Sequence, residues 1–229
     1  MKKKILLVGG SSKVGRALIK NLDKKIYFIH STYNNNKLLE KKYSKIKQFK
    51  LDLNKEKEND ISIRNSDMNY DVIILLSGVL LGKSLSEYKT NEIKTNFDTN
   101  FTSQAMLLKE ILKFQKKKCL VVFFSSIAGR KGSYDPIYAA AKGALISFSK
   151  SLSLWISPKV NCITLCPGII KDTKMYKSFT LKRLSNLKKQ TPNKEFLNPK
   201  DLSKIVCDII QPHWRHANGS IIDINGGIF

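Results

Sequence analysis

Ser125-Ser126-Ile127-Ala128-Gly129 leads into Tyr138-Ala139-Ala140-Ala141-Lys142, and the flanks of this segment identify its place in a fold. Ahead of it, Cys119 to Phe124 is a short apolar run rich in Val and Phe, with the length and composition of a buried strand. After it, a helical pattern runs from Tyr138 to Trp155. Tyr138 and Lys142 stand four apart, so on a helix they share one face, one turn from each other. A phenol with its ordinary pKa of about 10 is a poor acid or base at neutral pH. An ammonium group one turn away favours the phenolate and is expected to draw that pKa down toward the working range. Ser126, at the mouth of the preceding strand, can hydrogen-bond the same substrate oxygen. Together the three side chains make a proton-transfer site for a carbonyl or an alcohol.

Tyr-x-x-x-Lys alone is a common pairing on a helix face, so the rest of the chain must supply the context. A helical pattern reaching Phe114 contains Phe97-Asp98-Thr99-Asn100-Phe101-Thr102. Its Asn sits in mid-helix, where the amide competes for backbone groups. With Asn100 upstream, then Ser126, then Tyr138 and Lys142, the chain resembles the short-chain dehydrogenase/reductase family, in particular members of the 3-oxoacyl-carrier-protein reductase kind. The resemblance implies that Tyr138 donates or accepts the hydroxyl proton, while Lys142 lowers its pKa and binds the nicotinamide ribose. It further implies that Ser126 polarises the carbonyl and that Asn100 kinks its helix and holds a water beside Lys142. The family's Ser-x-x-Gly pattern selects Ser126 over Ser125. Gln104-Ala105 and Leu107-Leu108 downstream favour Asn100 over Asn96. Tyr134 is a decoy, because Tyr138 and not a Lys lies four residues on.

The amino-terminal half reads as a nucleotide-binding unit. Lys4 to Val8 is a short apolar strand, followed by Gly9-Gly10-Ser11-Ser12-Lys13-Val14-Gly15 and the helix-like Arg16 to Leu22. Strand, Gly-rich turn and helix put a phosphate at a helix N-terminus, where exposed N–H groups and the dipole attract the anion. The pattern G-x-G-x-x-G is not matched. The family's Thr-Gly-x-x-x-Gly-x-Gly fits better, with Gly9 and Gly15 on its glycines, Val8 at its Thr and Lys13 at its middle glycine. A side chain there either crowds the pyrophosphate or reaches a phosphate itself. The expected cradle is Gly9, Ser11, Ser12, Lys13, Val14 and Gly15.

Ile26 to Ile29 is the second strand and ends in His30-Ser31-Thr32-Tyr33, with no acidic residue where NAD-binding folds usually carry one for the ribose hydroxyls. A carboxylate would repel a 2′-phosphate, whereas Ser31, Thr32 and Lys13 accommodate it, so NADP(H) is expected ahead of NAD(H). His30 has no nucleophile or metal partner near it in sequence and is read as structural or exposed. Ile46 to Leu51 is the third strand, closed by Asp52-Leu53. Asp52 is either a helix N-cap or, as the resemblance implies, the residue that hydrogen-bonds the adenine amino group. Asp71 to Leu76 is continuously apolar after its first residue, as a buried parallel strand should be. Ser77-Gly78 follows, at the end of the family's Asn-Asn-Ala-Gly, and backbone approach to the cofactor ribose is expected there. Leu75 and Leu76 replace the two Asn, so the cross-strand hydrogen bonds of those amides are lost and local rigidity is open to question.

Val160 to Leu165 is a sixth strand that runs into the turn Cys166-Pro167-Gly168-Ile169-Ile170-Lys171-Asp172-Thr173. The resemblance puts Pro167 and Gly168 under the nicotinamide, the Ile170 backbone on its amide group, and Thr173 near the pyrophosphate. Lys171 to Lys194 is strongly basic and corresponds to the family's mobile substrate lid. An anionic substrate suits it: a carrier-protein or CoA thioester, or a nucleotide-linked sugar. A solvated face in a Lys-rich chain accounts for it equally well. Pro199 to Ile210 is a capped amphipathic helix, and Ser220 to Ile224 the last strand before Asn225-Gly226-Gly227. The expectation for residues 1–229 is a single α/β domain, a Rossmann-type doubly wound parallel sheet of about seven strands with helices on both faces. Its ligand crevice should lie beyond the strands' carboxyl ends, where Gly9, Ser77, Ser126 and Pro167 converge.

The 229 residues, 42% hydrophobic, suffice for a substantial core. No apolar run approaches the roughly 20 residues of a membrane span, so no membrane partner is expected. The basic-then-apolar start, Met1 to Gly9, reads as a first strand rather than a signal peptide. Four cysteines lack Cys-x-x-Cys spacing and a nearby His, so reduced thiols in a cytoplasmic protein and no metal site are expected. The formal charge of +23 is almost all Lys, with Arg only at Arg16, Arg64, Arg130, Arg183 and Arg215. Lacking an aromatic-and-arginine platform, it describes a solvated surface, and no nucleic-acid partner is expected. The implied reaction is reversible hydride transfer between nicotinamide and a carbonyl or secondary alcohol. The family often forms homodimers or homotetramers through the helices bearing Asn100 and Tyr138. Two other uses of the fold are open: a dehydratase or epimerase that holds its cofactor tightly, and a retired, cofactor-binding regulatory protein. The intact set of Asn100, Ser126, Tyr138 and Lys142 speaks against the second.

Overall fold

A computed structural model describes residues 2–38, 40, 43–55 and 68–228. Seven strands, β1 (Lys3–Val8), β2 (Tyr27–Tyr33), β3 (Lys47–Lys50), β4 (Val72–Leu75), β5 (Cys119–Phe124), β6 (Val160–Pro167) and β7 (Ser220–Ile224), form one parallel sheet in the order β3-β2-β1-β4-β5-β6-β7. Among the described residues the α-helices are α1 (Lys13–Asn21), α2 (Thr90–Phe97), α3 (Ser103–Phe114), α4 (Ala128–Lys131), α5 (Pro136–Trp155), α6 (Lys174–Lys177), α7 (Leu181–Gln190) and α8 (Pro199–Ile209). Side chains of a strand alternate between faces. Accordingly Ile5, Leu7, Val72, Ile74, Val122 and Phe124 pack under α1 and α8, whereas Leu6, Val8, Ile73, Leu75, Val121 and Phe123 pack under α3 and α5. A helix layer on each face explains why these strands read as unbroken apolar runs.

The winding reverses beside β1, which has β2 on one side and β4 on the other, so the crevice opens past Val8 and Leu75. The turn into α1 is set by close backbone approach. Gly9 sits at φ +88, a region that side chains disfavour. A Cβ on Gly15 would lie 2.6 Å from the Gly10 backbone, and one on Gly10 would lie 1.9 Å from the Ser31 hydroxyl. Gly10 thus joins the two glycines singled out by the sequence pattern.

Strand β2 runs four residues past its expected end, because β3 pairs His30 to Tyr33 with Lys47 to Lys50. That pairing buries Ser31 and Thr32, each 2% exposed. His30 is structural: its Nδ1 is 2.9 Å from the Tyr70 hydroxyl, and its ring meets Phe28, Phe49 and Tyr70 edge-on. Asp52 is followed by a turn at Leu53 and Asn54 rather than by the first turn of a helix. All four cysteines are free thiols, with Cys119, Cys162 and Cys166 buried. Among the described residues no helix is long and apolar enough to cross a membrane.

Gly10→Ala should cost about 1–3 kcal/mol of stability, the range of overpacking. Ser31→Ala should restore most of it, since the nearest clash is with the Ser31 hydroxyl oxygen. Urea denaturation of both single variants and the double measures this coupling; strictly additive effects would refute the contact.

Candidate active site

Lys142 lies where three elements meet. Its Nζ donates to the Phe124 carbonyl at the end of β5, at 2.9 Å, and to the Ser77 carbonyl beyond β4, at 3.4 Å. The Ser125 hydroxyl donates to the Lys142 carbonyl at 2.7 Å. Gly129 in α4 packs so close that a Cβ would lie 2.6 Å from the Lys142 backbone. Asp135 caps α5 by accepting from the Tyr138 N–H at 2.9 Å, with Pro136 at the first position. Tyr138 and Lys142 are 6% and 3% exposed, and Nζ is 5.9 Å from the Tyr138 ring centroid. Ser126 Oγ accepts from the Ala128 N–H at 3.1 Å and stands near enough to the Tyr138 phenol to lower its pKa. The three side chains inferred from sequence are therefore gathered in one cluster.

Asn100 joins them from the opposite side. Between α2 and α3 the helix widens into a π turn, Asp98–Thr102, with Asn100 in its middle, which is the distortion expected there. Its Nδ2 donates to the Val79 carbonyl at 2.8 Å and to Asn96 Oδ1 at 2.9 Å, while its Oδ1 accepts from the Val79 N–H at 3.0 Å. A Cβ on Gly78 would lie 2.9 Å from Lys142 Nζ and 3.0 Å from Asn100 Oδ1, so Gly78 is the spacer between them. The segment after β4, which lacks the two family amides, is held by Gln104. Its fully buried Nε2 donates to the Ser77 carbonyl at 3.0 Å, tying the segment down from α3 in place of the missing amides. The signal available in sequence was a polar residue four positions after Asn100.

The electrostatics also depart from expectation. Burial pushes the Tyr138 phenol up to about 12, against the Ser126 hydrogen bond that lowers it, and the nearby Asp135 carboxylate raises it further. Burial likewise pushes Lys142 down to about 7. Both side chains leave water, and each then favours its neutral form. An amine driven toward neutrality exerts little pull on the phenol, so desolvation outweighs the pairwise charge effect that spacing suggested.

The residues expected to face a nucleotide are placed as follows. Ser12 caps α1, its Oγ accepting from the Gly15 N–H at 3.0 Å, with Ser11, Lys13 and Val14 beside it. Lys13 is exposed at the first position of α1 and does not fill the turn. A cradle of Gly9, Gly10 and Gly15 at a helix N-terminus fits a dinucleotide diphosphate. Thr32 instead faces inward, its Oγ1 accepting from the Gly9 N–H at 2.9 Å, and Ser31 lies beneath Gly10. Asp52 Oδ1 accepts from the Asn54 N–H at 3.0 Å, and the Leu53 carbonyl accepts from the Ser103 hydroxyl. Pro167 ends β6, its carbonyl accepting from the Ile127 N–H at 3.0 Å, and Gly168 donates to Ile224. Ile170 bridges to Leu197, and Thr173 caps α6 while donating to the Ile170 carbonyl at 2.9 Å. Beyond Gly168 a cavity of about 860 Å³ carries Lys131, Lys171 and Arg183 but also Glu195, Asp201 and Asp223, so its wall is not of one sign.

Comparison with known proteins gives a consistent result. The family model described as short chain dehydrogenase matches residues 3–184. The 3-oxoacyl-[acyl-carrier-protein] reductase FabG of Haemophilus influenzae is 27% identical over 241 residues, covering 100% of this chain and 99% of that protein. Its namesake in Buchnera aphidicola is 28% identical over 163 residues, 69% of this chain and 66% of the relative. The crystal structure of a short-chain dehydrogenase/reductase from Brucella melitensis superposes with a TM-score of 0.90 at 22% identity, over 100% and 99% of the two chains.

Lys142 gives the nucleotide-free protein a distinct stability profile. Unfolded, it holds its proton to near its ordinary 10.5; folded, it gives it up near 7. Between those values the unfolded chain binds the extra proton, so stability rises with pH, at up to about 1.4 kcal/mol per unit. Raised thiols such as Cys162 oppose this above their ordinary 9.0, which leaves about pH 7 to 9 as the window to read. Denaturant titrations should show this rise in the wild type and a flatter profile in Lys142→Met; parallel profiles would contradict the assignment.

Proposed function

The chain belongs to the short-chain dehydrogenase family, and on that premise we propose that it is a nicotinamide-dependent carbonyl reductase with Tyr138 as proton donor. Members are oxidoreductases that interconvert C=O and CH–OH groups with NAD(P)(H), the bound nicotinamide supplying or accepting the hydride. One observation supports the finer reading: buried Tyr138, Lys142 and Asn100 and half-buried Ser126 converge at the carboxyl ends of β4 and β5. A phenol held near 12 stays protonated at neutral pH, which suits it to give a proton to a reduced carbonyl. Ser126, whose Oγ accepts from the Ala128 N–H, keeps its own proton for the same oxygen. Lys142, which changes charge near 7, can resupply the phenol.

In this proposal Gly9, Ser11, Ser12, Lys13, Val14 and Gly15 hold the diphosphate, Asp52 and Leu53 the adenine, and Ser77 and Gly78 the ribose. Pro167, Gly168, Ile170 and Thr173 flank the nicotinamide. NADP(H) is proposed over NAD(H), because the end of β2 carries no acid and Lys13 is exposed at the first turn of α1. Ser31 and Thr32, being buried, would contribute little to that choice. The relatives' names favour a carrier-protein-linked 3-oxoacyl thioester as substrate. Exposed apolar residues on both helices, Met106 and Phe114 on α3 and Leu154 and Trp155 on α5, favour a homodimer or homotetramer built through them.

NADPH oxidation should be screened against 3-oxoacyl thioesters, keto sugars and small ketones. Tyr138→Phe should lower kcat/KM on the accepted substrate roughly 100-fold or more while leaving NADPH affinity intact; undiminished turnover would sink the proton-donor assignment. Trp155, 86% exposed, should be buried between copies. Trp155→Glu should therefore shift the mass measured by light scattering toward the monomer, and an unchanged mass would exclude that interface.

A further inference from the structure

Asp135 is a carboxylate only 2% exposed, and its partners are neutral donors. Oδ1 accepts from the Tyr138 N–H at 2.9 Å and from the Tyr88 hydroxyl at 2.7 Å, and Oδ2 accepts from the Gly82 N–H at 2.8 Å. A helix cap alone gains less than the burial of a carboxylate costs, so capping does not explain why this group is inside. The network continues beyond it. Tyr88 Oη accepts from Asn96 Nδ2 at 3.4 Å, and Asn96 Oδ1 accepts from Asn100 Nδ2 at 2.9 Å. Asn100 in turn grips Val79 by both backbone groups.

The segment from Val79 to Tyr88 is thereby fastened at its start by Asn100, and at Gly82 and its end by Asp135. Gly82 has φ +71 and open space where a Cβ would be, so it is needed for its backbone angle, which turns its N–H to the carboxylate. The segment begins next to Gly78, the spacer between Lys142 and Asn100, and it exposes Val79, Leu81 and Leu85. Its position relative to α5 therefore bears on anything that approaches Tyr138.

We propose that Asp135 is a positioning residue that straps the Gly82–Tyr88 segment to the first turn of the helix carrying Tyr138, holding the wall of the site and the proton donor at a fixed separation. It rests on the reading of Tyr138 as that donor. The groups facing Tyr138 are Ser126 from the end of β5, Lys142 from the next turn of α5, and Asp135 with its partner Tyr88. Of these, Asp135 supplies the negative charge that raises the phenol.

Two readouts test this without any substrate: amide exchange at Gly82 and the titration of 13C-labelled Tyr138. D135N keeps a good cap and should fold. In it the Gly82 N–H should exchange roughly ten- to a hundredfold faster, the factor set by a hydrogen bond to a charged acceptor. Tyr138 should begin to titrate at lower pH, because the charge that raised it is gone. Y88F, which keeps the charge, should leave the Tyr138 titration in place while amides near Tyr88 exchange faster. Wild-type exchange at Gly82 together with wild-type titration of Tyr138 in D135N overturns the proposal. The expected changes in both readouts, in a protein that reduces no carbonyl, support the strap and count against the reductase reading instead.

Discussion

The amine of Lys142 sits between two backbone carbonyls, Phe124 and Ser77, that belong to the continuations of adjacent strands. A buried ammonium or amine without acceptors is costly, and so are carbonyls at strand ends without donors. Each solves the other's problem. Because Nζ can satisfy both only from one place, α5 is locked in height and rotation against the carboxyl ends of β4 and β5. Ser125 and the bare backbone of Gly129 tighten the same contact. Tyr138, one turn earlier, inherits its position from this lock.

The pattern of the chain made much of this legible. Unbroken apolar runs separated by helical periods imply a parallel sheet covered on both faces, and the two core clusters are the direct cause of those runs. Tyr138 and Lys142 could be paired because a spacing of four puts them on one helix face, whereas Ser126 and Asn100 were singled out only by the family resemblance. The exceptions were long-range. His30 to Thr32 are polar yet lie inside β2, because pairing with β3 and the Tyr70 hydroxyl give them partners that no local pattern reveals. Gln104 and Asp135 are buried for the same reason: their partners, Ser77 and Gly82, lie 27 and 53 residues away. Spacing predicts the charge beside the phenol but not its burial, and burial dominates its pKa.

The charge of the whole molecule and the charge of its site are separate quantities. The chain carries +23, but the cavity beyond Gly168 sets Lys131, Lys171 and Arg183 against Glu195, Asp201 and Asp223. At physiological ionic strength exposed charges fade over about 8 Å, so distant lysines contribute little inside such a cavity. They act instead on approach, drawing an anionic partner toward the surface before any contact forms. If the substrate is carried on an acidic protein, the lysines raise its encounter rate while the uncharged cluster of Ser126, Tyr138 and Asn100 decides what is bound. Solvated lysines and a largely desolvated cluster around Tyr138 are then compatible, and the strong field need not perturb the proton held on Tyr138.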